Sequence, residues 1–204
     1  MSQPPLNQPS DSYSSYYPPT TSVTDQLDGA TDPADLTRPL YGASFITAVK
    51  RLFKNYVKFT GRASRSEYWW AQLAYLLAVA IPLAIVIAGA VSNVQWVASQ
   101  PKPEYSFDPN TGHQFLVNNP VVLENAPGLG MLQLGFALVG LVGLVFFLPM
   151  LGAGVRRLHD ANFSGLLFLL ALIPGLGGLV LLVLLILPSN PEGRRYDPDY
   201  VARY

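Results

Sequence analysis

Cysteine is missing from all 204 residues, which excludes disulfides and thiolate metal sites and leaves the redox compartment open. Charge is scarce too. Asp, Glu, Lys and Arg make up 13% of the chain, against about 25% in ordinary soluble domains. Histidine occurs only at His113 and His159, with no spacing that would bring the two together, so no metal site and no cofactor are expected. No positive start leads into an apolar stretch, so no cleaved signal peptide is expected. No glycine-rich nucleotide loop follows a strand pattern. "GAG" and "GLGG" lie inside apolar runs, where packing or bending is their expected role.

Hydrophobic side chains are abundant, at 50% of residues, and the zero net charge hides a strong segregation. Residues 1–44 hold five acids and one base, whereas residues 45–66 hold six bases and no acid. Residues 1–43, rich in Pro, Ser and Tyr, show no periodic apolar face. They read as a disordered cytoplasmic leader that cannot bury enough surface to offset its ordering entropy.

From Ser44 the pattern turns helical. Phe45, Val49, Leu52, Phe53 and Tyr56 fall on one stripe, with Lys50, Arg51, Lys54 and Lys58 opposite. Ser44 suits an N-cap and Gly61 a left-handed stop. Residues 44–60 are therefore expected to form a basic amphipathic helix in the membrane interface.

Ser64 and Glu67 then have capping-box spacing. They precede Tyr68–Val91, 24 residues without a charge, enough to cross about 30 Å of hydrocarbon. Tyr68, Trp69 and Trp70 would anchor that span at the interface. Pro82 should kink it, and Ala80, Ala84 and Ala88 offer a small face for helix contact. Residues 92–127 read as a polar external loop with the turn-like "FDPNTGH". Two further apolar runs cover about 129–155, with Gly135, Gly140 and Gly143 as close-approach positions, and 165–187, interrupted by "IPGLGG". Residues 188–204 form a polar tail.

The fold class expected is an all-α polytopic membrane protein, its membrane domain at 61–187. It would have three spanning helices, the third alternatively a re-entrant hairpin. Six bases precede the first span and one lies in the following loop, so the positive-inside rule sets the N-terminus in the cytoplasm. Arg156 and Arg157 return to the same side.

"KNYVKFTGRASRSEYWW" and "RRLHDANFSGLLFLLALIPGLGGLVLLVLLILPSNPEGRRYDPD" resemble the two hallmark blocks of the domain of unknown function 805 family, small bacterial inner-membrane proteins of the YhaH-like type. The resemblance spans about 45–92 and 129–199. The family's marks correspond to Gly61, Arg62, Arg65, Ser66, Glu67 and Trp69, and to Arg156, Arg157, Leu158, His159, Asp160 and Gly165. It implies a multi-span protein of the bacterial plasma membrane and carries no activity with it.

Two readings of the charged motifs stand side by side. In one, Arg62, Arg65, Arg156 and Arg157 bind lipid phosphates, each base near an anionic leaflet contributing about 1 kcal/mol. In the other, Glu67 pairs with Arg156 or Arg157 across the first two spans, with His159 and Asp160 completing a cytoplasmic cluster. His159 and Asp160 are the one adjoining base and acid, but no Ser or Cys nucleophile accompanies them at a recognisable elbow. The apolar runs contain no Asp, Glu, Lys, Arg or His, whereas ion pathways normally place such groups within the membrane.

The function expected is non-enzymatic scaffolding or regulation at the cell envelope. Its expected partners are anionic lipids, a second copy or an envelope protein, and not nucleic acid. The alternatives are a small transporter or channel subunit acting as an oligomer, and a membrane enzyme using His159.

Overall fold

A computed structural model describes residues 27–118 and 125–200. Helix α1 (Phe45–Lys54) starts at Ser44, whose hydroxyl accepts the Thr47 N–H. The chain then turns through Gly61, at φ +80°. Helix α2 (Arg65–Ser99) opens on the expected capping box, with Ser64 accepting from the Glu67 N–H and Glu67 accepting from the Ser64 N–H. At 35 residues it extends for about 50 Å, beyond the ~30 Å of hydrocarbon. It therefore runs eight residues past the sequence-based boundary at Val91, without interruption at Pro82.

The segment expected to be an irregular loop contains a hairpin. Strand β1 (Glu104–Phe107) pairs antiparallel with β2 (Gln114–Asn118), with Tyr105 opposite Leu116 and Ser106 opposite Phe115. Asp108 ties the turn by accepting the Asn110 N–H and the Thr111 hydroxyl, both at 2.8 Å. The all-α expectation is corrected to this extent. Residues 104–107 and 114–118 alternate too weakly in polarity, and are too exposed on both faces, to announce a strand.

Helix α3 (Leu129–Asp160) returns antiparallel to α2. Glycines set the separation toward the end that carries the β-hairpin. A Cβ on Gly135 would come 2.5 Å from Val86 Cγ2, and one on Gly89 would come 2.9 Å from the Gly128 carbonyl. Gly140 and Gly143 have open space instead, and Ala80, Ala84 and Ala88 are exposed, so the small face proposed for helix contact is not the one α2 uses against α3. Leu77, Ile81, Leu144 and Phe147 also stand exposed along the pair. Both helices are long and apolar enough to cross a membrane.

The third apolar run is not one helix. A 3-10 helix covers Gly165–Leu172, Gly175 turns the chain at φ +78°, and α4 (Leu176–Ile186) runs back. Gly177 packs directly on the Leu170 carbonyl, a contact no side chain would permit. Both ends of this hairpin meet the end of α3: Gly165 abuts Val155 and His159, and the Leu185 carbonyl accepts from Arg157. Proline and three glycines in "IPGLGG" outweigh the apolar length that suggested a continuous span. A last 3-10 turn, Pro191–Tyr196, lies under the α3 terminus.

Burial is concentrated at this end. Leu52, Tyr68, Ala71, Ala153, Leu158, Leu181 and Leu185 form the core cluster beside it.

Candidate functional site

Five segments converge where α2 begins and α3 ends: residues 27–43, α1, the turn 61–64, the last turn of α3, and residues 187–197. Arginine forks and carboxylates tie them together. The Ala63 N–H donates to the Arg156 carbonyl at 2.9 Å, which locks the start of α2 to the end of α3.

Arg62 is buried. Its Nε and Nη2 grip Asp197 at 2.9 and 2.6 Å, and its Nη1 and Nη2 donate to the carbonyls of Leu27 and Asp28. Burial alone would lower its pKa, but Asp197, Asp160 and the neighbouring Tyr41 more than offset this and hold it above its ordinary value. Asp160 is fully buried and accepts three bonds, from the Tyr41 hydroxyl at 2.7 Å, the Ser189 hydroxyl at 2.5 Å and Arg157 Nη1 at 2.6 Å. Arg62 stands 4.0 Å away on its other side. Arg157 also donates to the Leu185 and Leu187 carbonyls, closing the end of the apolar hairpin. Burial, and then the Asp160 charge, push the Tyr41 phenol well above its usual pKa.

Glu67 pairs with Arg51 at 2.5 Å, and not with Arg156 or Arg157. This corrects the expected partner and also the expected polar face of α1. The buried positions are Ala48, Arg51, Leu52 and Asn55, a helical stripe with a guanidinium at its centre. Arg51 enters because four of its five N–H donors are met. Beyond Glu67 it reaches the carbonyls of Pro33, Asp35 and Arg38. The second Glu67 oxygen accepts the Leu40 and Ser64 N–H groups. Residues 27–43, assigned to the leader, are thus held against the cluster as a strap. Residues 1–26 lie outside the described residues.

Arg156 is buried, and its Nε donates to the Gly152 carbonyl. Four buried arginines (Arg51, Arg62, Arg156, Arg157) face three buried carboxylates (Glu67, Asp160, Asp197). Arg156 is the one without an ion pair among the described residues. His159 is half-buried, its Nδ1 3.0 Å from the Gly61 carbonyl; a carbonyl only accepts, so Nδ1 carries the proton there. Its ring stacks on Tyr196 at 4.0 Å, with the Arg195 guanidinium also against that tyrosine.

Of the arginines expected to meet lipid phosphates, only Arg65 is exposed. Trp69 and Trp70 flank it, both exposed, with Trp70 edge-on to Phe45 of α1, while Tyr68 is buried. Among the described residues no three His, Cys, Asp or Glu side chains gather as a metal group.

Comparison with known proteins gives this geometry a context. Residues 56–198 match the family described as "Protein of unknown function (DUF805)". The chain belongs to the DUF805 family. It is 33% identical over 148 residues to the inner membrane protein YhaI of Escherichia coli (strain K12), covering 72% of this chain and 90% of that protein. It is 28% identical over 149 residues to the inner membrane protein YhaH of the same strain, covering 73% and 92%. No solved structure matches it. The DUF805 region thus starts near the end of α1 and includes every ion-paired residue from Arg62 to Asp197. Arg51 and the strap lie before it. The chain is a membrane protein of this family.

Proposed function

We propose that this protein is a non-enzymatic scaffold or regulator of the bacterial inner membrane, with two spanning helices, a re-entrant apolar hairpin and a folded cytoplasmic platform. The observation carrying this reading is the interlocked arginine–carboxylate cluster. It spends its charges on joining five segments of the same chain rather than on aiming a nucleophile or lining a pathway. The bases before α2 and at the end of α3 fall at one end of the pair, which favours that end as the cytoplasmic one. The apolar hairpin returns to the cluster, which supports both termini lying on that side. Arg65, which shares a surface hollow with Trp69 and Trp70, and the exposed Lys50 and Lys54 of α1 are the side chains suited to anionic lipid.

Single cysteines at positions 65, 195 and 110, probed with an impermeant thiol reagent on sealed vesicles of both orientations, test the topology. Positions 65 and 195 are expected to react from the cytoplasmic side and position 110 from the other. Reaction of 65 and 195 from opposite sides rejects it. The functional reading is tested by reconstituting the full chain in liposomes and by complementing a deletion strain. No proton or ion flux, and full complementation by His159→Ala, are expected. Flux above protein-free vesicles would favour the transporter reading, and loss of complementation the enzymatic one.

A further inference from the structure

Away from the cluster, the apolar part of the helix pair contains a groove with its own polar lining. Tyr68, Gln72 and Tyr75 follow at four- and three-residue spacing on α2 and so share one face, over about 10 Å of helix. Phe146 and Met150 of α3 lie opposite, Phe168 of the 3-10 helix forms the third wall, and the cavity between them is about 410 Å³. Gly143 also lines it, and a Cβ there would meet nothing within 4 Å. That glycine opens the groove instead of letting helices approach.

The polar groups in this lining are unanswered. Neither tyrosine hydroxyl nor the Gln72 amide has a hydrogen-bond partner among the described residues, and none of their polar atoms is sealed within the protein. Tyr68 is 8% exposed. Hydrocarbon offers no water to such donors, so leaving them open is costly. Their complement is a neutral oxygen acceptor on an otherwise apolar molecule, since the groove lining carries no charge. The groove starts beside the Trp69–Trp70 belt, just below the headgroup level where the ester carbonyls of a glycerophospholipid lie.

We propose that this groove binds one ester-linked acyl chain of a membrane glycerophospholipid, with Gln72 and one of the Tyr68 and Tyr75 hydroxyls donating to its carbonyl oxygen and Phe146, Met150 and Phe168 enclosing the chain. The site does not depend on which side of the membrane the cluster faces. The test is native mass spectrometry of the full chain, delipidated and reloaded with dioleoylphosphatidylcholine or its diether counterpart, which has the same headgroup and no ester carbonyl. The ester lipid is expected to be retained as a one-to-one adduct. The diether lipid and the Gln72→Leu variant are each expected to bind about three- to tenfold more weakly, the worth of one net hydrogen bond. Gly143→Leu starts from a Cβ in open space and sends its branch into the groove, so it should abolish the adduct without lowering the melting temperature. Equal retention of ester and diether lipid, or an unaltered adduct in Gly143→Leu, overturns the proposal. So does displacement of the ester lipid by an equimolar short-chain ubiquinone, which would assign the groove to an isoprenoid quinone.

Discussion

Deleting the Asp160 carboxylate tests the energetic core of the platform. That carboxylate is 0% exposed, 2.6 Å from Arg157 and 4.0 Å from Arg62, and it accepts the hydroxyls of Tyr41 and Ser189. In Asp160→Leu these four groups lose their common acceptor. Removing one partner of a buried ion pair costs about 3–5 kcal/mol, because a charge is left uncompensated. Each stranded hydroxyl could add about 1–3 kcal/mol. Partial compensation remains, since Arg62 keeps Asp197 and Arg157 keeps two carbonyls, so the expected loss is about 4 kcal/mol. Deleting both charges, in Arg157→Met with Asp160→Leu, should recover at least about 2 kcal/mol, as paired apolar replacements of buried ion pairs do. Equilibrium unfolding in mixed micelles, followed by tryptophan fluorescence, measures both. Asp199→Asn provides the surface control, because the Arg38–Asp199 contact is exposed and should leave the transition where it was. A single-variant loss under about 1 kcal/mol, or a double variant no more stable than the single, would refute the reasoning.

Other outcomes follow from the same geometry. A double-mutant cycle on Glu67 should give a coupling to Arg51 at least about 1 kcal/mol larger than to Arg156 or Arg157, read from the same unfolding curves. Gly135→Ala should cost about 1–3 kcal/mol by forcing α2 and α3 apart, whereas Gly140→Ala, with open space at its Cβ, should be neutral or slightly stabilising through helix propensity. Because the Tyr41 pKa is raised in the folded chain, its contribution is complete below its unfolded pKa of about 10 and declines as pH rises above it. Tyr41→Phe should flatten that alkaline slope in a melting-temperature series from pH 8 to 11.

Local signals were readable wherever a side chain acts on its own segment. Ser44 and Ser64 cap as their spacing predicts, and the uncharged lengths of α2 and α3 announce membrane helices. Signals failed where burial is decided by distant chain. Arg51 looks like a surface base because its four acceptors come from residues 33–67, three of them backbone carbonyls that no side-chain pattern marks. The spacing of Ala48 and Asn55 about it was the available hint. Asp197 and Ser189 sit in a tail that reads as polar and featureless, and become buried partners only because the hairpin turns at Gly175. Tyr41 was likewise hidden in a composition that otherwise signals disorder. The Glu67 partner was misassigned for a related reason: topology correctly suggested that both motifs share one end, but shared location does not fix which guanidinium reaches the carboxylate.

All the buried bases of the cluster are arginine, while Lys50, Lys54 and Lys102 are exposed and Lys58 is half-buried, donating to the Leu36 carbonyl. Chemistry accounts for the division. A guanidinium presents five donors in a rigid fork and stays charged, so it can hold a carboxylate and several carbonyls from different segments at once. Arg51 and Arg62 each do so. An ammonium has three donors around one point and could not span the strap and α2 from the same position. The arrangement also limits what these bases can do for function. A guanidinium whose donors are filled by its own chain is not available to a headgroup, a substrate anion or a partner carboxylate unless the strap leaves. Arg51, Arg62 and Arg157 are committed in this way, whereas Arg65, Arg195, Lys50 and Lys54 are exposed and project from the surface that those arginines hold together.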